Sequence, residues 1–296
     1  TLYEPLLSSR GVRLVYLQNG KYLPLEVSGS LNSGGDFMLR GDISSQFVTG
    51  LMLALVNIDG TSRIIPTTKL ESRPYADMTA DVLRAFGADV RSDGEIYTLC
   101  GTRLHSREYT VEGDCSQAAF FVAAAAIGGD VKLDGVNPST LQGDFRIFEI
   151  ARGFGASVEV GGDYVKISRG SLHAQDIDAA DIPDLVPAIA VIAAFAEGRS
   201  RIYNAGRLRL KESDRIASTA ALLKSLGADV VETDDGLIIY GQESLAGGEV
   251  KSYSDHRIAM AAAAASPGCR GDVTVDDIGC TDKSYPGFVD DWNSIT

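Results

Sequence analysis

The stretch "SLGADVVETDDGLIIYG", Ser225 to Gly241, decides the fold because the chain contains it three times in altered form. The other copies are "AFGADVRSDGEIYTL" from Ala85 and "GFGASVEVGGDYVKI" from Gly153. Their shared glycines, Gly87, Gly155 and Gly227, stand 68 and 72 residues apart. In each copy a helix ends at the glycine, which tolerates the left-handed backbone of a helix C-terminus. Two strand-like runs follow, split by a Gly/Asp turn. A period of about 70 residues is too long for the common solenoids and predicts a duplicated α/β subdomain.

The first half of the unit recurs as well. "GDISSQFVTGLMLALV" from Gly41, "GDCSQAAFFVAAAAIG" from Gly113, "DIPDLVPAIAVIAAFAEG" from Asp181 and "SDHRIAMAAAAASPG" from Ser254 each set a short polar tip before a helix that is apolar nearly all round. A helix of that pattern is buried. The unit therefore reads as buried helix, strand, outer helix, strand pair. The chain opens on "SSRGVRLVYLQNGKYLPLEV", the second half of a unit, and closes on "CTDKSYPGFVDDWNSIT", the first half of one. The expectation is an N-terminally truncated chain, short of at least half a unit.

A length of 296 residues with 45% hydrophobic content is enough for two domains with substantial cores. The net charge of −13 argues against nucleic acid and anionic membranes as partners, but leaves room for small anions in a locally basic cleft. No uncharged run reaches membrane-spanning length. Cys100, Cys115, Cys269 and Cys280 are scattered without metal-ligand spacing, as expected for reduced thiols. No glycine-rich nucleotide loop is present.

The candidate site residues lie at the tips. Ser44, Ser45 and Gln46 suit either helix capping or a phosphate at a helix N-terminus. Asp184 at the head of an apolar helix reads as a cap, or as a carboxylate able to hold a hydroxyl and act as a base. "RLRLKESDRI" crowds Arg207, Arg209, Lys211, Glu212, Asp214 and Arg215 at a helix start, where partial positive charge makes cations unfavourable. Either Glu212 and Asp214 neutralise them locally, or they help hold an anion. His256 and Arg257 repeat the oddity on another helix. Ser72 and Tyr75 in "ESRPYADMT" and Lys283 in "GCTDKSYPGF" read by themselves as ordinary loop residues. If the tips converge, they form a polar ligand site.

Taken together, "LKESDRI", "SDHRIAMA", "GDISSQF" and "IPDL" resemble the 5-enolpyruvylshikimate-3-phosphate synthase (3-phosphoshikimate 1-carboxyvinyltransferase) family, in family order from near Gly41 to Pro286. The resemblance implies an α/β (α+β) two-domain enolpyruvyl transferase-like fold, built of βαβαββ subdomains around buried helices. Residues 1–111 would be the remainder of one domain and 112–296 most of the second. The implied reaction moves the enolpyruvyl group of phosphoenolpyruvate to the 5-hydroxyl of shikimate 3-phosphate and releases phosphate. It uses no cofactor and no metal, in a cytoplasmic monomer that binds neither nucleic acid nor membrane. Ser44, Ser45, Gln46, Ser72, Tyr75 and Lys211 would then contact shikimate 3-phosphate, and Asp184 would hold the reacting hydroxyl. Glu212 would act as general acid/base. Arg215, Arg257 and Lys283 would clamp phosphoenolpyruvate, with His256 beside them. The family's N-terminal Lys-Ser motif, Asn-Ala-Gly loop and an Arg-Pro are absent, so the fragment alone is expected to be inactive or impaired. The alternatives are a UDP-N-acetylglucosamine enolpyruvyl transferase-like enzyme, which lacks the KESDR and HRIAMA motifs, and a non-catalytic repeat binding module.

Overall fold

The computed structural model describes residues 2–94 and 96–295 and divides into two compact units, Thr1–Thr110 and Val111–Thr296. Glu95, inside the first copy of the repeated stretch, lies outside the described residues.

The first unit begins with α1 (Tyr3–Ser8) and the antiparallel pair β1 (Val12–Tyr16) and β2 (Leu25–Gly29). This is the helix-then-strand-pair pattern expected for the latter half of a repeat. A full copy follows: β3 (Gly35–Leu39), α2 (Ser45–Leu55), β4 (Thr61–Pro66), α3 (Arg73–Ala85), β5 (Asp89–Ser92) and β6 (Tyr97–Cys100). Its sheet order is β3-β4-β6-β5, parallel between β3 and β4 and antiparallel elsewhere. Period-two alternation turns Phe37, Ile64, Val90 and Leu99 into the core. The helix α2 buries one face, through Val48, Leu51, Met52 and Leu55, and leaves Leu53 57% exposed. That differs from the all-round burial its composition predicts.

Among the described residues the second unit holds two further copies and the first part of a third, which lacks the closing strand pair. The first is α4 (Cys115–Gly128), β7 (Asp130–Asp134), α5 (Arg146–Phe154), β8 (Ser157–Val160) and β9 (Tyr164–Ser168). The next is β10 (Asp176–Asp178), α6 (Val186–Ala194), β11 (Arg199–Tyr203), α7 (Arg215–Ser225), β12 (Asp229–Thr233) and β13 (Gly236–Tyr240). Its sheet order, β10-β11-β13-β12, repeats that of the first unit strand for strand. The last copy is β14 (Gly248–Val250), α8 (His256–Ala265), β15 (Val273–Val275) and α9 (Phe288–Ile295). Here the apolar helices α4, α6 and α8 are buried almost throughout and pack on one another in a single core. Their alanines permit the close approach. Gly87, Gly155 and Gly227 take φ of +94°, +112° and +92°, the left-handed helix stop inferred from their spacing. No helix among the described residues is long and apolar enough to cross a membrane.

Candidate active site

The three buried helices of the second unit run side by side, so their polar starts lie at one end of the core, where the start of α7 joins them. Its N-cap, Asp214, accepts from the backbone N–H of Ala217. Asp255 caps α8 by accepting from the N–H of Arg257, and Asp114 caps α4 by accepting from Ser116 and Gln117. Just ahead of Asp255, Tyr253 and Ser254 take φ of +55° and +54°, a left-handed conformation costly for residues with a Cβ. Strain of this kind is retained where the surrounding contacts over-determine the backbone.

Arg215 is the hub of the cluster. It is 1% exposed, and its guanidinium donates to three carboxylates. Its Nε reaches Asp255 Oδ2 at 2.8 Å, Nη1 reaches Asp184 Oδ1 at 2.9 Å, and Nη2 reaches Glu212 Oε2 at 2.6 Å. Arg257 donates through Nη2 to Asp184 Oδ2 at 3.2 Å and to Ser116 Oγ at 3.1 Å. Lys211 Nζ stands 3.5 Å from Asp184 Oδ1, and Lys283 Nζ donates to Glu212 Oε1 at 2.9 Å. His256 is buried beside them with Nδ1 unbonded. The structure thus brings together Asp184, Lys211, Glu212, Arg215, His256, Arg257 and Lys283.

The electrostatics follow from this packing. Burial alone would push the Asp184 carboxyl up, but Arg257, Lys211 and Arg215 hold it below its ordinary value. Glu212 is likewise opposed by burial, yet Lys283, its own backbone N–H and Arg215 bring it down to about 2. Burial, reinforced by Arg257, lowers His256, which favours neutral imidazole. Both carboxyl groups are therefore anionic at neutral pH, beside an excess of cationic donors with part-exposed ends at Lys211 and Lys283.

The crowding at "RLRLKESDRI" resolves into separate tasks. Arg209 turns outward to Asp214 and Glu232, at 2.8 Å each, and Arg207 donates to the Ala180 carbonyl. Of the two anions expected to neutralise Lys211 and Arg215 locally, Glu212 does pair with Arg215, whereas Asp214 is taken by Arg209. Asp184 is not a helix cap. It lies in the turn Pro183–Leu185 ahead of α6, whose cap position is Leu185, and its carboxylate faces the arginines. Asp255, Ser116 and Ser213 belong to the cluster but escaped the residue-by-residue reading; Ser213 donates to Asp255 Oδ2 at 2.9 Å. The signal for Ser116 was its place at the tip of an apolar helix, the same kind of position that singled out Ser44 to Gln46.

The remaining candidates lie in the first unit. Ser44 caps α2, accepting from the Gln46 N–H; Ser45 is buried and Gln46 exposed. Ser72 precedes α3 with φ +52°, and the Tyr75 N–H bonds back to its carbonyl. A separate groove of about 550 Å³ beside β7, lined by Phe121, Val131, Leu133 and Tyr285, contains none of the clustered charges.

Residues 3–292 match the family model described as EPSP synthase (3-phosphoshikimate 1-carboxyvinyltransferase). The chain belongs to the EPSP synthase family. Among curated relatives, the 3-phosphoshikimate 1-carboxyvinyltransferase of Clostridium novyi (strain NT) is 42% identical over 99% of this chain and 67% of its own length. That of Methanocorpusculum labreanum is 44% identical over 92% of this chain and 64% of its own. The chain thus spans about two thirds of the length of these relatives. The solved EPSP synthase of Acinetobacter baumannii superposes with a TM-score of 0.82 at 30% identity, covering 98% of this chain and 69% of that one. The architecture is the mixed α/β fold of that family, and its members are transferases.

Proposed function

We propose that this chain carries the phosphoenolpyruvate-handling part of a 3-phosphoshikimate 1-carboxyvinyltransferase, which moves the enolpyruvyl group to the 5-hydroxyl of shikimate 3-phosphate and releases phosphate. The observation that supports this most is the meeting of two carboxylates, Asp184 and Glu212, with Lys211, Arg215, Arg257 and Lys283 at the helix starts. Each substrate brings a phosphate and a carboxylate, so several cations are needed to bind the pair. Asp184 holds the 5-hydroxyl and takes its proton as the oxygen attacks the central carbon of phosphoenolpyruvate. Glu212 hands a proton to the methylene carbon. In the second stage the new methyl group returns a proton as the C–O bond to phosphate breaks, restoring the double bond. Arg257 and Lys283 hold the leaving phosphate and the carboxylate, and Arg215 supplies fixed positive charge from within. Lys211 contacts shikimate 3-phosphate. The protein acts in the cytoplasm bound to neither nucleic acid nor membrane, a reading supported by its free cysteines and net charge of −13.

Calorimetric titration tests the binding, and phosphate release by the complete gene product tests the chemistry. Both substrates bind, and Glu212→Gln lowers turnover by about 10²-fold or more with binding retained. Failure of either substrate to bind, or full turnover in Glu212→Gln, overturns the reading.

A further inference from the structure

The cations of the cluster are of two kinds. Arg215 and Arg257, with side chains 1% and 8% exposed, are locked to buried partners. Lys211 and Lys283, at 34% and 55%, are part-exposed. Lys283 reaches in from the turn Ile278–Lys283 to Glu212, and that ion pair covers the Glu212 carboxylate on its outer side. On its inner side Glu212 meets Arg215 of α7, which it shares with Asp184 and Asp255, while His256 stands near it from α8.

We propose that an incoming phosphate or carboxylate takes Lys283 away from Glu212, and that Glu212 then binds a proton from solvent, so that the general acid is loaded by the arrival of its substrate. This rests on the functional reading above and adds the step that loads the acid. Free, the Glu212 carboxyl is ionised and has no proton to give. Its contact with Lys283 is the exchangeable one, since the lysine head is open to solvent and the Arg215 contact is not. Exchange removes a cation and places an anion beside a carboxylate that burial already opposes, and both changes favour the protonated form. Arg215 remains, but it divides its donors among Glu212, Asp184 and Asp255, and the other two cations, Arg257 and Lys211, pair with Asp184 and not with Glu212. The released Lys283 then holds the anion, and the Glu212 hydroxyl faces the ligand.

Calorimetry of phosphoenolpyruvate binding at pH 6, in two buffers of different ionisation enthalpy, counts the protons taken up. Wild type takes up about half a proton or more per ligand beyond Glu212→Gln, the subtraction removing protons exchanged by the ligand's own phosphate. In a second measurement on wild type alone, the side-chain carboxyl ¹³C signal of Glu212 stays in its ionised position near neutrality when free. It titrates with a midpoint of about 6 or higher when saturated with ligand, the value that half a proton at pH 6 requires. Equal proton counts in the two proteins, or a ¹³C titration that the ligand leaves unmoved, overturns the proposal while the functional reading stands. Phosphoenolpyruvate that fails to bind overturns both.

Discussion

The starts of α2 and α8 occupy corresponding places in repeated units, and the start of α7 is bonded to that of α8, yet the two places solve the same problem with different chemistry. At α2, Ser44 satisfies an orphan N–H with a hydroxyl, and no charge is buried. At α7 and α8, Asp214 and Asp255 do the capping, and Asp255 also grips an arginine that is 1% exposed. A neutral cap is a local device and works in any surroundings. A charged cap tied to Arg215 works only because Asp184 and Glu212, from elsewhere in the second unit, complete its partners.

The largest expected contrast comes from Arg215→Met. It leaves Asp184, Glu212 and Asp255 without their shared counter-charge in a poorly solvated place, and should cost about 3–5 kcal/mol in urea unfolding. A loss below about 1 kcal/mol would put Arg215 on the same footing as a surface cation and end the comparison. Asp255→Asn is gentler. Asparagine still caps α8, but the charge-assisted bonds to Arg215 weaken, for an expected loss of about 1–3 kcal/mol by the same measurement. Ser44→Ala removes only a cap and should cost about 1 kcal/mol. If Ser44→Ala proves as damaging as Arg215→Met, the distinction between a local cap and a network is wrong.

Much of this site was legible before folding was considered. Helix starts rich in titratable residues ahead of apolar runs drew out Asp184, Glu212, Arg215, His256 and Arg257, because cations at the positive end of a helix need a reason to be there. Legibility failed where a side chain had two plausible local jobs. Asp184 looks like a cap from its neighbours, and only the position of Arg215, 31 residues away, shows that its carboxylate points elsewhere. Asp214 looks like a partner for Arg215, but Arg209 takes it. Asp255 was hidden because an aspartate before a helix is already explained by capping. The all-round burial predicted for α2 failed for a related reason: apolar composition states what a helix can bury, while the neighbours present decide what it does bury.

By itself the sequence determined the period of the repeat, the left-handed stops at Gly87, Gly155 and Gly227, the alternation of each strand and the apolar character of the helices. These depend on backbone sterics and on the side-chain pattern within a few residues. Only the tertiary structure decided which charges pair. Ion pairing depends on distance and burial across segments as far apart as Ser116 and Arg257, and no local pattern encodes that separation.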